Sequence, residues 1–468
     1  MKMDKKIVVS LVIAVIFSSC FVGKKYSRPN NIADNKLFRT ESEQLDTSNM
    51  AMLQWKNLFT DTVLQNHIQH ALDSNFNIRI AIQNIKSAEA NLKQIYNSVL
   101  PSIAIQPSIQ FQTLSLNTPQ GSGNSGNRIS GFTYGLAGTL SWEADIWGKI
   151  NSQKKAALAN YLNTQAVQQA VQSQLIALVS ESYFQLLALD MQKNILKETI
   201  QTRQENLATN KALKQAGTVT EVAVKQSEAQ LLNAQAQLVT IENNIRALEN
   251  TFSILLAQNP QKIVRTKLTD QVINTPLTIG VPYQILSNRP DVLAAEFSLM
   301  NAFELTNVSK SLFYPSLNFT ASTGLQSVDV DKLFNVNSLF ASVIGSLTQP
   351  LFSQRKIRSQ YEISLAQQQI AYLNYRKTIL TAGKEVSDAL YNYETQNKLY
   401  SLKQSEYLAL DTATQYSQDL LKYGMANYLD VLTAQQNALN AKIGFVNAAY
   451  GKLEAIIELY RALGGGGK

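Results

Sequence analysis

One long-range repeat constrains this chain more tightly than any other feature. Ala81, Ala88, Pro101 and Ser102 recur as Ala295, Ala302, Pro315 and Ser316, each 214 positions further on. Gly138, Leu140, Val179, Ser180, Gly217, Val224, Leu232, Asn233 and Ala234 recur as Gly345, Leu347, Val386, Ser387, Gly424, Val431, Leu439, Asn440 and Ala441, each 207 positions on. The seven lost residues fall between the two sets, where the polar stretch 114–130 has a shorter counterpart near 328–337. A fixed offset with one local deletion marks a duplicated unit. The period is too long for a solenoid, so the chain reads as two copies of one structural half.

Each half changes period twice. From Asp61 to Val99 there is no Gly or Pro, and Leu64, Ile68, Leu72, then Ile78, Ile82 and Ile85 recur at helical spacing. This predicts a helix, interrupted around Asn75–Asn77 and stopped by Pro101. The period then falls to two. Ile103, Ile105, Ile109 and Phe111 alternate with polar residues, as do Phe132, Tyr134, Leu136, Leu140 and Trp142. The second half repeats this with Leu317, Phe319 and Leu325, then Leu339, Ala341, Val343 and Leu347. Phe340 and Ile344 blur the last strand. Four strands in two hairpins are expected, over about 102–113, 131–142, 316–327 and 338–348. Beyond each hairpin, 150–216 holds no Gly or Pro, and 353–423 holds only Gly383. At ~1.5 Å per residue such a helix spans roughly 100 Å. Each half is therefore helix, hairpin, long helix, turn and returning helix, over 61–258 and 285–463, with 259–284 as linker and 464–468 as tail.

The N-terminus carries its own signal. Lys2, Lys5 and Lys6 precede the apolar run Ile7–Phe17, then Ser18, Ser19 and Cys20. A basic start, a short apolar run and small residues predict a secretory signal over 1–19, too short to span a bilayer. Cys20 is the only cysteine of the chain, so it forms no internal disulfide. Phe17-Ser18-Ser19-Cys20 is similar to a bacterial lipobox, with Phe17 where Leu is usual. Cys20 is the expected lipidation site, and 20–60 reads as a lipid-anchored tether with little core.

The strands narrow the choice of solvent. Lengths near 10–12 residues suit a tilted membrane crossing, with Trp142 at a strand end as in an aromatic girdle. The other face carries Gln, Ser, Thr and Gly, suited to water. Four strands cannot close a barrel when the smallest membrane barrels have about eight, and open edges do not survive in lipid. The chain must then oligomerise, each copy contributing four staves. Ile103, Ile105, Phe111, Phe132, Leu136, Leu140, Trp142, Leu317 and Phe319 are the expected lipid-facing set.

Specific motifs add to this pattern. They are Cys20 with Val22-Gly23 and Tyr26-Ser27-Arg28-Pro29, Trp55 with Phe59-Thr60-Asp61, Leu100-Pro101, and the run Ser141–Lys149 (SWEADIWGK). They continue with Arg289-Pro290-Asp291-Val292 and Ala294-Ala295-Glu296, then Phe313-Tyr314-Pro315 and Pro350-Leu351-Phe352. The last is Tyr423-Gly424 with Tyr428-Leu429-Asp430-Val431-Leu432. Spanning the whole chain after the signal, these resemble the outer-membrane factor (TolC-like) family, and within it the lipoprotein branch serving pumps of the resistance-nodulation-division (RND) type. The resemblance implies a mostly α protein with a membrane β-barrel. It implies a homotrimer forming a twelve-stranded β-barrel on a periplasmic α-helical barrel, in the outer membrane of a Gram-negative bacterium. It implies a passive efflux conduit, a periplasmic membrane-fusion adaptor docked at the helical tips Gly217, Thr218, Val219, Thr220, Gly424, Met425, Ala426 and Asn427, and an inner-membrane RND-type transporter. Small tip residues are expected to permit close helix approach there. The resemblance also implies that Asp430, six residues past Gly424, lines a periplasmic gate. Thr433 stands where the family often has a second Asp.

A structural or adhesive long-helix lipoprotein without channel activity is the alternative reading. The net charge of +8 is scattered, without the basic patch that nucleic acid requires. No enzyme, cofactor or metal is expected: His67 and His70 read as two solvated helix residues with no third ligand cluster, and Gly121–Gly126 lacks the P-loop lysine. Thr218-Val219-Thr220-Glu221 fits a capping box, and Asn427–Asp430 an analogous cap. Asp430 therefore also reads as a first-turn carboxylate that complements the helix dipole. Arg289-Pro290-Asp291 reads as a structural helix start.

Overall fold

The computed structural model describes residues 22–29, 53–118, 130–271, 273 and 289–466. Cys20, the signal segment and the Gly121–Gly126 stretch lie outside them. In chain order the elements are α1 (Trp55–Leu58), α2 (Thr62–Ser74), α3 (Phe76–Asn97), β1 (Ser102–Thr113), β2 (Ser130–Ala144), α4 (Lys149–Gln215) and α5 (Glu221–Leu255). Then come α6 (Pro290–Ser311), β3 (Ser316–Ser327), β4 (Leu339–Thr348), α7 (Lys356–Lys422) and α8 (Tyr428–Ala462). The two halves match in length: α3 and α6 have 22 residues each, α4 and α7 67, α5 and α8 35.

The chain divides into two compact units. The first holds Lys86–Asn163 and Glu296–Asn374 with the N-terminal segment up to Pro29. Its centre is one antiparallel sheet in the order β1-β2-β3-β4. The middle pair, β2 with β3, joins the two halves, so the two hairpins form a single sheet. At this seam Gly324 is obligatory, because a Cβ there would lie 2.1 Å from the Leu136 carbonyl oxygen. Asp145 accepts from the Ile150 and Asn151 amides at 2.9 and 2.8 Å, satisfying orphan donors at the start of α4.

The segment expected as a tether with little core is partly fastened. Val22–Pro29 runs along α6 from its C-terminal end toward its N-terminal end. The Val22 carbonyl accepts from Lys310 at 3.1 Å, and the Lys24 backbone exchanges two bonds with the Asn307 side chain, each 3.0 Å. Tyr26 meets Phe303 edge-on, and Arg28 forms a two-pronged ion pair with Glu296. The polar composition that gives a tether little core says nothing about bonds made by its backbone.

The second unit holds 30–85, 164–295 and 375–468. Leu58 and Phe59, within the expected tether, are fully buried there with Leu64, Ile68, Ile176, Tyr183, Phe184 and Phe252. Asp61 caps α2 through the Val63 and Leu64 amides and also accepts from Tyr183, Thr266 and Gln271. Burial pushes the Tyr183 phenol up to about 12. Asn75 breaks the backbone between α2 and α3, and its carboxamide oxygen accepts from the Asn77 amide. Arg289 is buried at the start of α6. It pairs with Asp291 and Glu385 and donates to the Ala462 carbonyl. Burial opposes its charge, but the two carboxylates outweigh that and raise its pKa. On α7, Tyr400 and Tyr407, seven residues apart, both pack on Phe445 of α8, with ring centroids 5.3 and 6.0 Å apart. That spacing is the heptad of a coiled-coil seam.

Candidate membrane face and helical tips

The strand register sorts the first unit's side chains. Directly paired residues share a face of an antiparallel sheet, and the pairs are Ile103 with Leu140, Phe111 with Phe132, Trp142 with Phe319 and Leu317 with Leu347. Ile105 pairs with Gly138 and Leu136 with both Pro107 and Leu325. All nine residues expected to face lipid therefore lie on one side. Trp142 stacks on Phe319 with centroids 5.6 Å apart, and Phe111 lies 5.1 Å from Phe132. Such aromatic pairs contribute about 0.5–1.5 kcal/mol beyond area burial. The Trp142 indole N–H donates to the Val99 carbonyl. Nothing described within the unit covers this face: Ile103 is 74% exposed and Ile105 76%. The opposite face carries Gln106, Ser108, Gln110, Thr133, Thr139, Asn318, Thr320, Ser322 and Gln326, with Phe340 and Ile344 its only large apolar residues among those described.

The second unit contains both helical turns. Gly217 and Gly424 have φ of 76° and 70°. The next amide in each turn reaches back to a carbonyl five residues earlier, Thr218 to Leu213 at 3.0 Å and Met425 to Leu420 at 2.9 Å. This is the left-handed helix end that glycine adopts without penalty. A Cβ added at either glycine meets nothing within 4 Å. Within one chain, glycine is thus required here by φ, not by close helix approach. The helices leaving the two turns begin differently. Asn427 and Asp430 form a reciprocal capping box, each side chain accepting the other's amide at 3.0 Å. The box expected at Thr218–Glu221 does not form. Glu221 is the first helical residue rather than the third, it pairs with Lys214, and Thr218 donates to the Leu213 carbonyl. Val219, Thr220, Met425 and Ala426 complete the two turns. Asp430 is exposed.

A polar layer beside these turns has no sequence signal, because isolated polar residues on a long helix read as solvated. Arg203 of α4 is buried and donates to the Gln230 carbonyl of α5 and to the Gln436 side chain of α8. Its partners are neutral, and burial lowers its pKa. Asn210 donates to Ser227, whose hydroxyl lies 3.2 Å from that of Tyr428. His67 also departs from a solvated reading: it meets Phe252 edge-on and bonds to the Val264 carbonyl at 2.8 Å. His70 bonds to Gln258. Among the described residues no group of three or more His, Cys, Asp or Glu could hold a metal ion, and no helix is long and apolar enough to cross a membrane.

The model of the outer membrane efflux proteins covers residues 67–258 and 281–465. The chain belongs to the outer membrane efflux protein family. The solvent efflux pump outer membrane protein SrpC of Pseudomonas putida is 31% identical over 88% of this chain and 87% of its own. The cation efflux system protein CusC of Escherichia coli K12 is 25% identical, covering 97% and 98%. The open-state crystal structure of the Neisseria gonorrhoeae outer-membrane channel MtrE superposes with a TM-score of 0.83 at 26% identity, covering 96% of this chain and 99% of that one. As an outer membrane efflux protein, the chain is an outer-membrane channel component with a periplasmic helical portion.

Proposed function

We propose that three copies of this chain close one twelve-stranded barrel and act as the passive exit duct of a tripartite efflux system. The observation that carries this reading is the sheet. Its register collects the apolar residues on one uncovered face, and its outer strands β1 and β4 have no further partner among the described residues. Four strands with open edges are not stable in lipid. Three sets of four give a closed barrel with the apolar face outward and the Gln, Ser and Thr face lining water. Ile103, Ile105, Phe111, Phe132, Leu136, Leu140, Trp142, Leu317 and Phe319 then contact acyl chains. Cys20 carries the lipid anchor, two residues before the fastened Val22.

The helical turns serve the periplasmic end. A periplasmic membrane-fusion adaptor docks on Gly217–Thr220 and Gly424–Asn427, linking the duct to an inner-membrane RND-type transporter. Three Asp430 carboxylates form a ring that narrows the entrance and favours cations. The energy for transport comes from the partners. Relatives named for cations and for solvents are both similar to this chain over most of its length, which suits a duct that does not select its cargo. Planar-bilayer recording tests the reading. Purified protein should insert as discrete, uniform conductance steps, and protein that binds lipid without conductance would overturn it.

A further inference from the structure

The most exposed large apolar residues among the described ones stand at one rim of the sheet. Leu351 is 95% exposed and Phe352 89%, three and four residues after β4 ends at Thr348. After Ser353, Gln354 and Arg355 have φ of 51° and 64°, a left-handed pair that is costly for residues bearing a Cβ. α7 begins directly after this pair, at Lys356. A second exposed apolar pair stands at the other edge of the same sheet. Val99 and Leu100, 40% and 65% exposed, immediately precede Pro101 and β1.

The register places both pairs at the same end of the sheet, with Val99 and Leu100 level with Leu347 and Ser346, just inside the Leu351–Phe352 pair. Ser102 pairs with Ser141, Ala144 with Leu317, and Ser316 with Thr348, so the start of β1 and the end of β4 lie at the same end of the sheet. In an even-stranded antiparallel barrel of identical copies, β4 of one copy pairs antiparallel with β1 of the next. The end of β4 then meets the start of the neighbour's β1, bringing Leu351 and Phe352 against the neighbour's Val99 and Leu100.

We infer that these four residues form an apolar clasp between copies at the base of each seam, the occupant of each exposed pair being the complementary pair of a second copy. The clasp rests on the trimeric reading above and adds to it a contact that the strand pairing alone does not require. Burying such side chains removes the water contact that otherwise makes their exposure unfavourable. It also fixes the register of the seam, which hydrogen bonds alone leave free to slip.

A cysteine pair tests it in the full-length chain. Membranes carrying Leu100→Cys with Leu351→Cys are treated with a thiol oxidant or a short bismaleimide, then boiled and run without reductant. The expected result is a ladder of covalent dimer and trimer from the double variant and monomer from either single variant. Unboiled samples on the same gel report assembly independently. A trimer band without covalent products would overturn the clasp, assign these residues to lipid and leave the trimer standing. A monomer in the unboiled parent would overturn the trimer and the clasp with it.

Discussion

Asn427 and Asp430 each accept the other's backbone amide, so the carboxylate proposed for the gate is also half of a helix cap. The two roles make opposite predictions for Asp430→Asn. In the gate role the substitution removes three charges from one ring, and planar-bilayer recordings should show weaker cation selectivity and relief of block by multivalent cations, with the trimer intact. As a cap alone, it should cost about 0.3–1 kcal/mol of helix-terminal charge stabilisation and leave selectivity unchanged. Parental selectivity and block would reduce Asp430 to a cap.

The face assignment predicts an asymmetry along one strand. Leu136→Arg and Leu140→Arg should each cost on the order of 2–4 kcal/mol near the bilayer midplane and lower the yield of heat-labile oligomer in outer-membrane fractions. Thr139, between them in sequence on the opposite face, should accept Arg with little loss. Equal yields for the three variants would show that the faces are wrongly assigned.

At the N-terminus, mass spectrometry should find a chain beginning at Cys20 and carrying acyl groups. Cys20→Ala should delay or mislocalise the protein, because the fastened Val22–Pro29 segment would have lost the anchor two residues upstream. An unmodified N-terminus at another residue would rule out lipidation.

Asp61 predicts a pH effect. Burial raises its pKa, but bonds from Thr266, Gln271, Tyr183 and the Val63 amide outweigh that and hold it below the ordinary carboxylate value. A depressed folded pKa gives stability that is present above the unfolded value, about 3.9, and is lost as pH falls through the folded one. Much of the carboxylate meets solvent, so screening keeps the effect modest. Thermal unfolding followed by circular dichroism should show the parent losing stability more steeply than Asp61→Asn below pH ~4. Parallel profiles would remove Asp61 from the acid response.

Much of the architecture is legible locally, because local signals set it. The absence of Gly and Pro marks α4, alternation marks β1 to β4, and Asn427 with Asp430 three residues on marks a cap. The rest depends on partners far along the chain. Pairing of β2 with β3 joins residues from different halves, and no local pattern encodes it. The Arg203 layer lies on helices whose polar residues look solvated until three helices converge. Thr218 fails as a cap because Glu221 is taken by Lys214 and the helix starts at Glu221 itself. Val22–Pro29 reads as having little core because backbone bonds, the Tyr26–Phe303 contact and the Arg28–Glu296 pair fasten it. Gly217 and Gly424 are legible as turn residues, though the reason is their positive φ.

In the proposed assembly, one channel contains three chains and one shared barrel. Native mass spectrometry of the detergent-solubilised channel, with planar-bilayer recording on the same fraction, tests it most directly. The prediction is a single species of three chains that carries all the conductance. A monomeric or dimeric species that conducts would contradict it.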